Sequence, residues 1–169
     1  MLASVEQFVE TGNFEYLNPV VGLVAAELQR ARDDNWKQAT PVPARLLNAM
    51  PVALHRAVRR SRYLLVKRVQ DLSLPAFAIE HFKKATGVVA IDLVFFKAVL
   101  DMGTTAGRHY WLHELYHVTQ YADKGVVGFA KEYVAGVIRG GLNPLEKEAD
   151  IYACRHFPIS RPAYIDKCP

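Results

Sequence analysis

Cysteine is scarce: the 169 residues contain two, Cys154 and Cys168, both near the C-terminus. No Cys-x-x-Cys pair exists, which excludes a cysteine-built structural zinc site. The two cysteines read as free thiols in a reduced compartment, with closure of a small loop between them as the alternative. Long apolar runs are also missing. Nothing approaches the ~20 residues needed to cross a bilayer, so no transmembrane segment is expected. The start, Met1-Leu2-Ala3-Ser4-Val5-Glu6, lacks the basic opening and apolar centre of a secretory signal. The expected location is the cytoplasm of the producing cell, or outside it after export by a route that needs no such signal. Neither an internal repeat nor a low-complexity tract is present. Acidic residues are absent from 35–70, where eight Lys or Arg residues fall, leaving 13 basic against 17 acidic residues elsewhere. Such a stretch suits a solvated face, with an anionic partner as the alternative.

What is present is an ordinary globular composition, 51% hydrophobic and 22% charged, long enough to bury a sizeable core. Residues 1–40 read as an N-terminal helical extension, with Asn18-Pro19 as cap and first helical position of a run through Val20, Val21, Leu23, Val24 and Leu28. Two prolines in Thr40-Pro41-Val42-Pro43 predict an irregular linker, after which 41–169 forms the main body. Apolar spacing predicts one helix over about 44–60, closed by Arg56, Arg59, Arg60 and Arg62. A strand is expected over 63–69 and a short helix with a surface His81 within 73–85. Residues 88–96, rich in β-branched and aromatic side chains, predict one strand or two with a bend. Two later helices are expected over 126–138 and 143–157, with an extended tail beyond Pro158. The fold class is α+β, a small sheet beside the helix described next.

That helix contains His113-Glu114-Leu115-Tyr116-His117 and should end at Gly125. Residues four apart lie on one helical face a turn apart, so both imidazoles can reach one metal ion with Glu114 beside them. Zn²⁺ in catalytic sites takes three protein ligands and leaves a fourth position to water. The bland alternative is two histidines on an amphipathic helix. His109, one turn earlier, cannot readily complete a tetrahedron and reads as structural or substrate-facing.

The third ligand is sought on a later helix, where Glu146 and Asp150 share a face. That spacing suits one metal-ligating carboxylate and one that orients a histidine. The competing role for Glu146 is a capping box with Asn143. Glu148 projects about 200° from Glu146 and cannot replace it without rotation of the helix.

The segments His113-Glu114-Leu115-Tyr116-His117-Val118-Thr119-Gln120-Tyr121 and Glu146-Lys147-Glu148-Ala149-Asp150 together resemble the zinc metallopeptidase domains of bacterial extracellular contractile injection system cargo. More broadly, the chain is similar to the minimal gluzincins. The resemblance covers roughly 46–153. It departs in the strand before the motif, where Asp92 and Val94 stand in place of the Thr and Gly usual in that family. The resemblance implies a zincin-like fold with a small, mostly antiparallel sheet. It also implies zinc held by His113, His117 and Glu146, with Glu114 catalytic and Asp150 behind the ligands.

The expected function is peptide-bond hydrolysis of a peptide or protein substrate, with Glu114 as general base to a zinc-activated water. Tyr133, Tyr152 and His156 are candidate oxyanion donors. Substrate is expected along a sheet edge within 88–96. The alternative is a catalytically silent, metalloprotease-like binding module. It would use Arg59, Arg60, Arg62, Lys67 and Arg68 on nucleic acid, a membrane or an acidic protein. Aromatic interleaving there is thin and no nucleic-acid motif occurs, so nucleic acid is not the expected partner. A third option is an injected effector or toxin whose N-terminal helices dock on a carrier or secretion-system partner.

Overall fold

In the computed structural model, residues 2–66, 85–140, 143–160, 162–163 and 165–168 are described. The chain opens with α1 (Leu2–Thr11), a 3₁₀ turn (Phe14–Leu17) and α2 (Asn18–Trp36). Asn13 accepts a hydrogen bond from the Glu15 amide at 3.0 Å to start the turn. Pro19 occupies the first turn of α2 as expected, but the cap is Leu17 and not Asn18, which is already helical because the chain enters α2 directly from the 3₁₀ turn. Phe8, Leu17, Val21 and Ala25 of this region form an apolar cluster with Ala130, Val134 and Ala135 from later in the chain.

The expected linker is instead partly ordered. Thr40–Pro41 forms β1, an edge strand antiparallel to β2 (Arg62–Leu65), with Pro41 opposite Arg62. Proline is tolerated there because an edge position leaves one side of the strand without a ladder partner. The single helix expected over 44–60 is also corrected. It is divided into α3 (Arg45–Ala49), a 3₁₀ turn (Val52–Leu54) and α4 (His55–Arg60). Pro51 is the cause: it forces Met50 out of the helical region, to φ −105°, ψ 149°. The far end of the strand expected over 63–69, the short helix within 73–85 and His81 lie outside the described residues.

Two strands, β3 (Gly87–Ala90) and β4 (Leu93–Phe96), form an antiparallel hairpin. Its bend places Ile91 at φ 63°, a position glycine usually takes. The Arg62 amide donates to Asp92 O at 3.0 Å, and the Arg32 guanidinium of α2 meets the Asp92 carboxylate at 2.9 Å. Both contacts hold that bend against its strain. β4 pairs in parallel with β2, giving a mixed sheet of order β1-β2-β4-β3 in which β3 is an edge.

A loop then leads to α5 (Thr105–Ile138), where Thr104 caps by accepting from the Gly107 amide at 3.0 Å. Gly125, at φ 70°, ψ 167°, interrupts this helix at the expected place. Finally α6 (Pro144–His156) is capped by Asn143, whose side chain accepts from the Leu145 amide at 3.1 Å. Leu145, Ala149 and Ala153 recur every four residues and are fully buried. The main core joins Leu93, Val94, Phe95 and Phe96 of β4 to Trp111, Leu112, Leu115 and Val118 of α5, and takes in Leu28 and Ala31 of α2. Cys154 and Cys168 are joined in a disulfide rather than standing as free thiols, tying the tail back to α6. No helix among the described residues is long and apolar enough to cross a membrane.

Candidate metal centre

Helix α5 lies between the sheet and α6, so the face that carries the motif is enclosed. His113, Glu114, His117, Glu146 and Asp150 are all buried. His113 and His117 project from successive turns of α5, and Glu146 reaches them from the first turn of α6. The His113 and His117 Nε2 atoms are 3.2 Å apart. Glu146 Oε2 lies 3.2 Å from the first and 3.3 Å from the second. Four ligands at the usual Zn–N and Zn–O distances of about 2.0–2.1 Å stand about 3.3–3.4 Å apart along a tetrahedron's edges. The observed triangle has that size.

Hydrogen bonds at the far side of each ring fix which atoms face inward. His113 Nδ1 donates to Asp150 Oδ1 at 2.9 Å. His117 Nδ1 donates to Gln120 Oε1 at 2.7 Å. The Gln120 amide is oriented in turn, because its Nε2 donates to Leu145 O at 3.2 Å and to Glu148 Oε2 at 2.9 Å. With both Nδ1 atoms protonated, a neutral imidazole presents a lone pair at Nε2. Two such lone pairs and a carboxylate oxygen then meet in a buried space, which is repulsive unless a cation lies among them. His113, His117 and Glu146 are therefore a group that could hold a metal ion.

The electrostatics of the metal-free chain carry the same demand. Burial opposes charge on His113, but its hydrogen bonds to Asp150 and Glu146 and the charges of Glu114 and Glu146 outweigh this and raise its pKa. Burial likewise opposes charge on Glu146, but His117 and His113 outweigh it and hold the carboxyl well below its ordinary range. Without a metal, a proton supplies the cation.

Glu114 stands beside this triangle without entering it. Burial, opposed by His113 and His117 and reinforced by Glu146 and Asp150, raises its carboxyl to about 7. Glu114 faces a cleft that opens to solvent. The cleft is lined by Leu28 of α2, by β3 from Gly87 to Val89, by Tyr110 and Tyr133 of α5, and by Ala163 of the tail. Burial, with the charge of Glu146, pushes the Tyr133 phenol up to about 12, so it stays a proton donor at neutral pH.

The remaining sequence candidates are placed elsewhere. His109 is a packing residue: its Nδ1 donates to Phe157 O at 2.9 Å and its Nε2 lies 3.7 Å from Asp150. Tyr152 stacks on Tyr116 with ring centroids 4.6 Å apart, and His156 lies against Tyr152. Neither lines the cleft. Glu148 is exposed and serves Gln120. Arg62, from the basic stretch, is engaged with Trp36 O and Ala39 O, while Lys67 and Arg68 lie outside the described residues.

Three contributors had no role assigned from sequence: Gln120 as the partner of His117, Leu28 as a cleft wall, and Gly87 against Glu114. Gln120 alone had a readable signal, a buried-face amide one turn after a candidate ligand. Comparisons with protein-family models, curated proteins and solved structures return no match for this chain.

Proposed function

We propose that this chain is a zinc-dependent peptidase of the gluzincin kind. The observation that carries it is the triangle of two imidazole nitrogens and one carboxylate oxygen, 3.2–3.3 Å on each side, with a second, non-ligating carboxylate, Glu114, beside it. Two nitrogen donors and one carboxylate match catalytic zinc sites, which keep a position open, better than the all-oxygen shells of calcium or magnesium. Zinc bound there would acidify a water and polarise a carbonyl.

The chain's own residues account for the remaining steps. Glu114 takes a proton from the attacking water and delivers it to the departing amine, a task suited to a carboxyl raised to about 7. Asp150 and Gln120 hold the two imidazoles with Nε2 inward. Of the three candidate oxyanion donors, Tyr133 is favoured because it alone lines the cleft. The side of β3 away from β4, which no described strand covers, offers backbone groups to an extended peptide, which would lie across the cleft as an added strand.

Metal analysis and a Glu114→Gln variant test the proposal together. The purified protein is expected to hold about one zinc per chain, and the variant to keep it while cleavage of a peptide library falls by about 10²–10⁴. A folded chain that takes up no zinc, or a variant that cleaves as well as its parent, would refute it. Loss of zinc with Glu146→Ala but not with Glu148→Ala distinguishes the ligand from its exposed neighbour.

A further inference from the structure

The Glu114 carboxylate is buried, yet no hydrogen bond from a described residue holds it; its surroundings act on it through burial and charge. Asp150 and Gln120 fix the ligand histidines by hydrogen bonds, so Glu114 is placed by some other means. The answer lies on the opposite wall of the cleft, in the first residue of the edge strand. A Cβ built on Gly87 would come within 2.8 Å of Glu114 Oε1 and 2.9 Å of Cδ, where ordinary contact begins at about 3.4 Å. Gly87 has no positive φ. What glycine supplies here is space rather than backbone freedom, unlike Gly125 on the helix: an added methyl would push the Glu114 carboxylate from its place.

We infer that Gly87 is the positioning residue for Glu114: the bare backbone at the start of β3 forms a seat against which the carboxylate rests. The inference deepens the peptidase proposal and rests on it for its catalytic consequence, while the steric claim stands on geometry alone. A general base held by hydrogen bonds would have its lone pairs occupied. One held by shape keeps them available to a water. The seat also sets the base beside the strand edge where a substrate backbone would run, because Gly87 pairs with Phe96 on one side and faces Glu114 on the other.

The same Cβ would lie 3.0 Å from Phe95 O, a contact independent of Glu114. The test must separate the two. In the full-length zinc-loaded protein, Gly87→Ala is expected to lower kcat by about 10–100-fold, with KM within about twofold and one zinc per chain retained. The shorter Glu114→Asp side chain clears the added methyl, so adding Gly87→Ala to that slower variant should change kcat by less than about twofold. An equal factor in both backgrounds would assign the effect to Phe95 and overturn the inference.

Thermal unfolding provides a readout free of activity. Gly87→Ala should lower Tm by at least about 3 °C more in the parent than in a Glu114→Ala background, where the opposing carboxylate is gone. Equal losses overturn the seat even if the protein proves to be a peptidase. Coupled losses without any cleavage support the seat and count against the peptidase reading instead. A Gly87→Ala chain that folds only when Glu114→Ala is also present supports it, and failure to fold in both backgrounds overturns it.

Discussion

The 105–124 half of α5 buries His109, His113, Glu114, His117 and Gln120, each at most 5% exposed, whereas the half beyond Gly125 buries Phe129, Ala130, Val134 and Ala135. The second half meets α1 and α2 across an apolar cluster rimmed by Lys131 and Arg139, whose cations lie 5.0–5.6 Å from the rings of Phe8 and Phe14. Each large apolar side chain there stabilises the fold by about 1.5–3 kcal/mol. The first half surrounds its polar groups with the same sheet and helix, but they gain less than apolar residues of equal size would. Packing accounts for the second half apart from Phe129 and Tyr133, which reach the cleft. The first half lowers stability to hold lone pairs at fixed positions, the usual mark of a site.

The comparison is most exposed at the metal. If the polar half exists to hold a cation, zinc at about a thousandfold over its Kd should stabilise the folded chain by about 4 kcal/mol. Denaturant unfolding with and without zinc measures this. Glu146→Ala should abolish the increment, and Val134→Ala in the apolar half should leave it intact. Zinc stabilising both variants equally would mean that the two halves do not differ in this respect.

A second contrast lies in pH. Glu114 has a folded pKa of about 7 against an ordinary 4.5. The folded state therefore holds this proton more tightly than the unfolded state does. The resulting stability is fully present below about 4.5 and is lost as pH rises through about 7, a change of about 3 kcal/mol. In metal-free protein the stability difference, parent minus Glu114→Gln, should fall by about that amount between pH 4 and 8. His113 and Glu146 titrate in both chains, and only the part of the His113 rise that the Glu114 charge supplies enters the difference. A flat difference would mean that Glu114 is not desolvated in solution.

Why the polar half was legible in sequence and other parts were not follows from the range of the forces. His113, Glu114 and His117 are tied by helical periodicity, and Glu146 and Asp150 repeat that spacing on a second helix, so each pair is set by local geometry. The register of α5 against α6 is not local, and only packing of Leu145, Ala149 and Ala153 determines that Glu146 reaches the histidines. The fold shows the same division. Pro19 and Gly125 marked a start and a break correctly because they act on their own turn. Pro51 sits within an apolar periodicity that runs on through it, and Thr40–Pro41 is a strand only because β2 lies beside it. Gly87 had no signal at all, since its importance is the absence of a side chain opposite a residue 27 positions later.

Gln120 sharpens the comparison within the polar half. Replacing it with Leu keeps its volume and apolar packing but removes the acceptor for His117 Nδ1. Loss of such a partner weakens metal binding by about 10–100-fold, or about 1.4–2.8 kcal/mol. Competition with a zinc chelator reads this directly. Metal-free Gln120→Leu should lose about 1–3 kcal/mol of stability, because the buried His117 Nδ1–H is left without its acceptor. A large stability loss with unchanged zinc affinity would reverse the roles assigned to the two halves.

The smallest expected effect concerns the N-terminal helices, which touch both halves. Arg32 of α2 pairs with Asp92 at 2.9 Å and lies over the Trp36 ring at 3.7 Å. Through Asp92 it joins the apolar side of the molecule to the hairpin that carries the cleft's edge strand. Because both partners are partly exposed, Arg32→Ala should lower stability by about 1 kcal/mol or less. Zinc affinity should be unchanged, since His113, His117 and Glu146 all stand on α5 and α6. A fall in zinc affinity together with stability would mean that the hairpin and its ion pair help to shape the metal triangle. The division at Gly125 would then be one of composition, without independence between the two halves.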